Sequence, residues 1–122
     1  MITVWVKDLF FGSKIEAEAR AHHTSLCFVE TSSDAIKSII ANAASLMLID
    51  LDASPKILET IRSIRSNSAC RGVRIIGFLS HVEADLAKKA QIAGCDLVMP
   101  RSLFAKSLPE IFTKYQETVL SA

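Results

Sequence analysis

A chain of 122 residues with 14 basic and 13 acidic side chains has the length of one domain and almost no net charge. Half of its residues are hydrophobic, which is enough for a core on both faces of a sheet. No run of like charges exceeds Lys88-Lys89, so the composition argues against binding to nucleic acid or to an anionic membrane surface.

Strand-like and helix-like segments alternate along the chain. In chain order, the sequence predicts strand 2–6, helix 11–22, strand 25–29, a helix from Ser32 or Ser33 to Ala43, strand 46–50, a helix opened by Ser54 and Pro55, strand 73–79, helix 82–93 ending at Gly94, strand 96–99 and a last helix capped by Ser107 and Glu110. Five strands alternating with five helices predict an α/β protein with a doubly wound parallel sheet. We expect one domain over residues 1–122.

The cysteines and the hydropathy pattern bear on the location of the protein. Cys27, Cys70 and Cys95 are odd in number and widely spaced, which is typical of reduced, buried thiols in a cytosolic protein. No apolar stretch is long enough to span a membrane, and the N-terminus has no basic leader. We therefore expect a cytoplasmic protein that is neither exported nor anchored.

Asp50 is the first candidate site residue, because it ends the apolar run Leu46-Met47-Leu48-Ile49. A strand that is apolar on both faces lies inside a helix-covered parallel sheet, and ligands bind at the carboxyl ends of such strands. A second interpretation of Asp50 is as an acceptor of backbone N–H groups in the loop before Ser54. Asp52 lies one alternation further on, where it either faces the same pocket or caps the loop.

The polar residues after the predicted strands resemble those of the receiver domain of two-component response regulators. That family has an acidic pair after the first strand, a phosphoacceptor Asp after the third, a Ser or Thr after the fourth and a Lys after the fifth. The corresponding segments are Val6-Lys7-Asp8, Leu48-Ile49-Asp50, Phe78-Leu79-Ser80-His81 and Pro100-Arg101-Ser102, with an ungapped match from Gly94 to Arg101. The resemblance implies a flavodoxin-like (βα)5 receiver fold, a phosphoacceptor role for Asp50, and Mg²⁺ held by Asp8 and Asp50.

Three positions depart from the family pattern. Lys7 replaces one of the acids, and two unit charges about 4 Å apart interact by roughly 4 kcal/mol at an effective dielectric near 20, with a sign here that opposes metal entry. Leu79 is the best match to the hydroxyl position, which Ser80 fills only if the loop is shifted by one. Arg101 replaces the Lys, and its planar fork is not equivalent to an ammonium. We therefore predict no cofactor or weakly bound Mg²⁺, in a pocket formed around Asp50 by Lys7, Asp8, Asp52, Leu79, Ser80 and Arg101.

These observations favour an atypical receiver-like module, not an enzyme, that binds a signalling protein without phosphoryl transfer. The first alternative is a phosphorelay response regulator that a histidine kinase phosphorylates on Asp50. The second is a flavodoxin-like enzyme or small-ligand-binding protein, for which no glycine-rich phosphate loop is present. A homodimer is a further option. Phe104 precedes the predicted Ser107 cap, so it is predicted as an exposed anchor of an interface.

Overall fold

The computed structural model describes residues 1–80 and 83–115. The strands are β1 (Ile2–Trp5), β2 (Leu26–Phe28), β3 (Leu46–Asp50), β4 (Arg74–Leu79) and β5 (Leu97–Pro100). The helices are α1 (Leu9–Ala21), α2 (Ser32–Asn42), α3 (Ile57–Ser66), α4 (Ala84–Ala93) and α5 (Arg101–Lys114). Within these residues the strands pair in parallel in the order β2-β1-β3-β4-β5, so the predicted doubly wound sheet is confirmed.

Helices cover both faces of the sheet. On one face α1 and α5 pack over a core that includes Ile15, Leu48 and Phe78. On the other face α2, α3 and α4 pack over strand residues such as Ile49 and Ile75. All of β3 is buried, as its apolar run predicts, and it lies between β1 and β4. No helix in the described part of the chain is long and apolar enough to cross a membrane.

Two helices begin at caps that the sequence prediction missed. α1 begins two residues earlier than predicted because Asp8 caps it, with Oδ1 accepting the N–H of Phe10 at 2.9 Å. α2 is capped by Thr31 rather than by a serine, since the Thr31 hydroxyl oxygen accepts the Asp34 N–H at 3.0 Å. Both side chains satisfy N–H groups that have no acceptor inside the helix.

The third and fourth helices agree with the sequence in part. Ser54 accepts the Lys56 N–H at 3.2 Å, but this bond forms a turn before the helix, and α3 itself begins at Ile57. The predicted start of the fourth helix at Val82 lies outside the described residues. α4 ends at Gly94 as predicted, with a φ of 136° that favours glycine.

The fifth helix corrects the prediction for Phe104. α5 begins at Arg101, directly after β5, and not at the predicted Ser107 cap. Phe104 therefore lies one turn before Leu108 on the buried side of α5, and it is 0% exposed. Its prediction as an exposed interface residue is wrong, because the early helix start places its ring in the core.

Candidate functional site

One cavity at the carboxyl edge of the sheet collects most of the predicted site residues. Its volume is about 190 Å³, and we call it the Asp50 pocket. It is lined by Lys7, Asp8, Asp50, Asp52, Ser80 and Arg101. These residues follow or end β1, β3, β4 and β5, and parallel pairing brings the carboxyl ends of the strands to the same edge.

Asp50 is held in place by two backbone N–H groups. The N–H of Asp52 donates to Oδ1 at 2.9 Å, and the N–H of Lys7 donates to Oδ2 at 3.3 Å. The residue is 5% exposed. An ionised carboxylate has about four acceptor sites, so these bonds orient Asp50 without using all of its capacity. Asp50 thus lines the pocket and also accepts a loop N–H group, as its two interpretations separately predict.

Both carboxylate oxygens of Asp8 accept hydrogen bonds. Oδ1 caps α1, and Oδ2 accepts a hydrogen bond from the Arg101 guanidinium at 3.3 Å. The guanidinium also lies over the Phe11 ring, 4.3 Å from its centroid, in a cation–π contact. Arg101 is the first residue of α5, so this ion pair joins the start of α1 to the start of α5.

Leu79 and Ser80 occupy different environments. Leu79 is 4% exposed and packs in the core beneath α2, α3 and α4, so its prediction as a pocket residue is wrong. Strand alternation explains this, because Phe78 before it belongs to the opposite face. Ser80 lines the pocket, but its hydroxyl and its N–H both donate to Asp52 Oδ2 at 3.0 Å.

The side chain of Lys7 is exposed at the rim of the pocket. Ion pairs within residues 1–80 and 83–115 do not include Lys7. Three carboxylates and two cations line the pocket, which leaves one net negative charge. The chain itself therefore supplies most of the positive charge that a cluster of carboxylates requires.

The carboxylates of the Asp50 pocket are placed to form hydrogen bonds and an ion pair within the chain, and not to coordinate a metal ion. Mg²⁺ takes near-octahedral oxygen ligands and is held by one or two carboxylates with waters. Both oxygens of Asp8 are engaged, and Arg101 brings a positive charge to the same carboxylate. No group of three His, Cys, Asp or Glu side chains among the described residues is placed to hold a metal. The carboxylates fit at most weakly bound Mg²⁺.

Comparison with models of protein families and with curated proteins gives no match. Solved structures, in contrast, match over nearly the whole chain. A response regulator from Hahella chejuensis has a TM-score of 0.81 at 19% identity, covering 99% of this chain and 98% of that chain. A signal receiver domain from Bermanella marisrubri has a TM-score of 0.77 at 21% identity, covering 95% and 97%. The chain has the receiver-domain fold. The predicted flavodoxin-like (βα)5 architecture is thereby confirmed.

A third receiver domain of the same fold holds a metal. It belongs to a sensor histidine kinase of Pseudomonas aeruginosa PAO1, and its structure has a magnesium ion coordinated in the active-site cleft. The TM-score is 0.78 at 19% identity, with 93% of this chain and 94% of that chain covered. Identity at this level shows a shared receiver fold, so the chemistry of the Asp50 pocket has to be argued from its own residues.

Sequence reasoning missed two features of the Asp50 pocket. One is Phe11, whose ring supports Arg101 and lies 5.2 Å from the ring of Phe78. The cap spacing from Asp8 to Phe11 is the signal that could have placed this ring in the first turn of α1. The other is the bond between Asp52 and Ser80, which depends on how two loops approach each other and leaves no sequence pattern.

Proposed function

We infer that this chain is an atypical receiver-like signalling module that binds a protein partner without phosphoryl transfer. The ion pair between Arg101 and Asp8 is the observation that carries the proposal. Phosphoryl transfer to a cluster of carboxylates relies on a divalent cation that neutralises the developing charge. In this pocket an arginine of the chain already engages a carboxylate that would hold the cation. Under this proposal the module is cytoplasmic and is not an enzyme.

The side chains that would respond to a phosphoryl group on Asp50 are also unsuited to that role. A receiver signals through a hydroxyl that moves toward the phosphoryl oxygens, as the family resemblance implies. The Leu79 side chain has no hydrogen-bonding group and is buried under the helices. The neighbouring Ser80 hydroxyl donates to Asp52, so its movement would first break that bond. The pocket is therefore better suited to holding one conformation than to switching between two.

Exposed apolar side chains beside the pocket support a role in protein binding. Leu9 and Phe10 are 84% and 91% exposed in the first turn of α1. They directly follow Asp8, so a protein that covers them also reaches the rim of the Asp50 pocket. Adjacent exposed apolar residues are typical of interaction sites. The proposed partner is a signalling protein, with a histidine kinase as one candidate and a second copy of the chain as another.

The test is phosphorylation by acetyl phosphate with Mg²⁺, followed by measurement of intact mass. We expect the unmodified mass for the wild type. The double variant Lys7→Asp with Arg101→Lys restores an acidic pair and an ammonium, and we expect it to gain a phosphoryl adduct. Adding Asp50→Asn to that double variant is expected to abolish the adduct, which assigns it to Asp50.

A second candidate function is phosphoacceptance by Asp50 in a phosphorelay. The buried, oriented carboxylate of Asp50 at the end of β3 favours this candidate. A phosphoryl adduct on most of the wild-type protein, removed by Asp50→Asn, would establish it and would refute the proposed function. A wild type that stays unmodified while the double variant is modified shows that the fold is competent and that Lys7 and Arg101 are the obstacle.

A further inference from the structure

We propose that a second cavity, beside the Asp50 pocket, binds a small molecule through its phosphate or carboxylate group. The cavity has a volume of about 450 Å³ and lies where β1, β2 and β3 lead into the following loops and helices. We call it the α2–α3 cavity, because the start of α2 and the loop into α3 form two of its walls. Small-molecule sites have volumes of about 300–1,000 Å³, so there is room for a metabolite around the anionic group. The inference does not depend on the proposed function.

Trp5 provides the first argument. It is the only tryptophan of the chain, it is 7% exposed, and it lines the cavity. Its indole N–H has no hydrogen-bond partner in the described part of the chain, although every buried side-chain nitrogen and oxygen atom there has one. The N–H must therefore reach accessible space, and the cavity that Trp5 lines provides it. A bound anion would accept a charge-assisted hydrogen bond from this N–H in place of water.

The charges around the cavity provide the second argument. Lys7 and Lys56 both line it, and neither takes part in an ion pair within the described residues. Glu30 lines it as well, so the lining carries one net positive charge. Lysine is a compact cation with three donors that binds phosphate and carboxylate groups as a point charge.

The start of α2 adds backbone donors to the same cavity. Ser32, the first residue of this 11-residue helix, is part of the lining. The Thr31 cap satisfies the N–H of Asp34, while the earlier N–H groups of a helix have no acceptor inside it. The positive end of the α2 dipole therefore lies in the lining of the same cavity as Trp5, Lys7 and Lys56, and donors of this kind bind oxyanions.

The indole N–H of Trp5 also reports anion binding directly, since a proton–nitrogen correlation spectrum of this protein contains a single tryptophan side-chain signal. Inorganic phosphate and acetate are the two probes, each titrated at constant ionic strength maintained with sodium chloride. We expect a saturable shift of the Trp5 signal. Saturation with phosphate alone assigns a phosphorylated ligand, and comparable saturation with acetate assigns a carboxylate ligand.

Variants locate the binding site. Lys56 lines the α2–α3 cavity but not the Asp50 pocket, and we expect Lys56→Gln to weaken binding about fivefold to tenfold. The matched control is Lys106→Gln on exposed α5 surface, for which the affinity is expected to stay unchanged. Arg101→Gln is a second control, because Arg101 lines only the Asp50 pocket.

Three results would overturn the inference. The first is a Trp5 signal that does not shift or shifts without saturation with both probes. The second is an equal affinity of the Lys56→Gln and Lys106→Gln variants. The third is a loss of affinity in Arg101→Gln with none in Lys56→Gln, which would place the anion in the Asp50 pocket. Dispersed spectra of the variants show that each is folded.

Discussion

The Arg65–Asp96 and Arg101–Asp8 ion pairs lie at opposite edges of the sheet and differ in how firmly they are held, and Asp96 also pairs with Arg74 at 3.4 Å. At the amino edge Arg65 donates three hydrogen bonds, to two backbone carbonyls and to Asp96. At the carboxyl edge Arg101 donates one, to Asp8 at 3.3 Å. The side chains of the first pair are 23% and 34% exposed, against 32% and 43% for the second. The same two residue types thus form a clamp with several hydrogen bonds at one edge and a contact with a single hydrogen bond at the other.

The amino-edge clamp ties together elements that are distant in sequence. Arg65 near the end of α3 bonds the carbonyl of Gly94 at the end of α4 and the carbonyl of Val73 just before β4. Asp96 in turn accepts the N–H of Ile75 at 2.8 Å, which joins the starts of β4 and β5. Such a network has no freedom to move without breaking several bonds. The Arg101 pair has a single hydrogen bond to break, which suits the proposed binding of a partner at this edge.

The largest expected effect concerns the rings beneath Arg101. Phe104 is stacked on Phe78 with a centroid distance of 4.3 Å, and both are buried. We expect Phe104→Ala to lower the free energy of unfolding by about 3–5 kcal/mol, because it leaves a cavity in the core. Urea denaturation measures this loss. Stability at the carboxyl edge would then come from packing and not from the ion pair above it.

Leu103→Ala is the matched control for that experiment, since Leu103 is the neighbouring residue and is 50% exposed. We expect it to cost less than about 1 kcal/mol. If Phe104→Ala instead cost as little as the control and altered sedimentation, Phe104 would be an interface residue after all, and the position of α5 described above would be wrong.

The next effect tests the clamp itself. We expect Arg65→Met to lower the free energy of unfolding by about 2–3 kcal/mol, because methionine keeps the length of the side chain but leaves the carbonyls of Gly94 and Val73 without their donor and removes one of the cations that pair with Asp96. Arg62→Met on the exposed side of α3 is the control, with an expected change within about 0.5 kcal/mol. Equal denaturation midpoints for the two variants would show that the clamp contributes nothing.

The sequence predicts some elements of the fold better than others. The apolar run of β3 and the acid that ends it predict both the buried strand and the place of Asp50. The start of α5 is not predictable in the same way. The Ser107 and Glu110 pair has the pattern of a capping box but lies inside the helix, while the true start at Arg101 follows Pro100 with no side-chain cap.

The candidate site was predictable as a set of strand ends but not as a set of contacts. Parallel pairing fixes that Asp8, Asp50 and Arg101 meet at one edge. Whether Leu79 or Ser80 faces the pocket depends on where β4 ends, and a difference of one residue reverses the face. The bond of Asp8 to Arg101 joins residues 93 positions apart, so it follows from the packing of α1 against α5 and from no local pattern.

A smaller effect is expected at the amino edge at alkaline pH. Burial raises the pKa of the Cys95 thiol from 9.0 to about 12, although nearby Arg65 partly lowers it. Because the folded-state pKa is the higher one, the unfolded chain loses this proton first as the pH rises. The stabilisation is complete below about pH 9 and is lost as the pH rises toward about 12.

Urea denaturation at about pH 8 and about pH 10 measures that loss. We expect the wild type to lose about 1 kcal/mol more between the two values than Cys95→Ala, which has no thiol to ionise. Comparing slopes removes the constant cost of the smaller side chain. Parallel pH profiles for the two proteins would mean that Cys95 ionises as readily in the folded chain as in the unfolded one.

The smallest effect is expected for the carboxyl-edge pair of Arg101 and Asp8. We expect Arg101→Met to lower the free energy of unfolding by less than about 1 kcal/mol, since partly exposed ion pairs contribute little. Asp8 keeps its cap on α1 in the variant, and the methionine still covers Phe11. The loss should shrink further at high salt, because screening weakens what remains of the pair. A loss as large as that of Arg65→Met would show that both edges are equally fixed, and a partner could then not displace Arg101 without unfolding the start of α5.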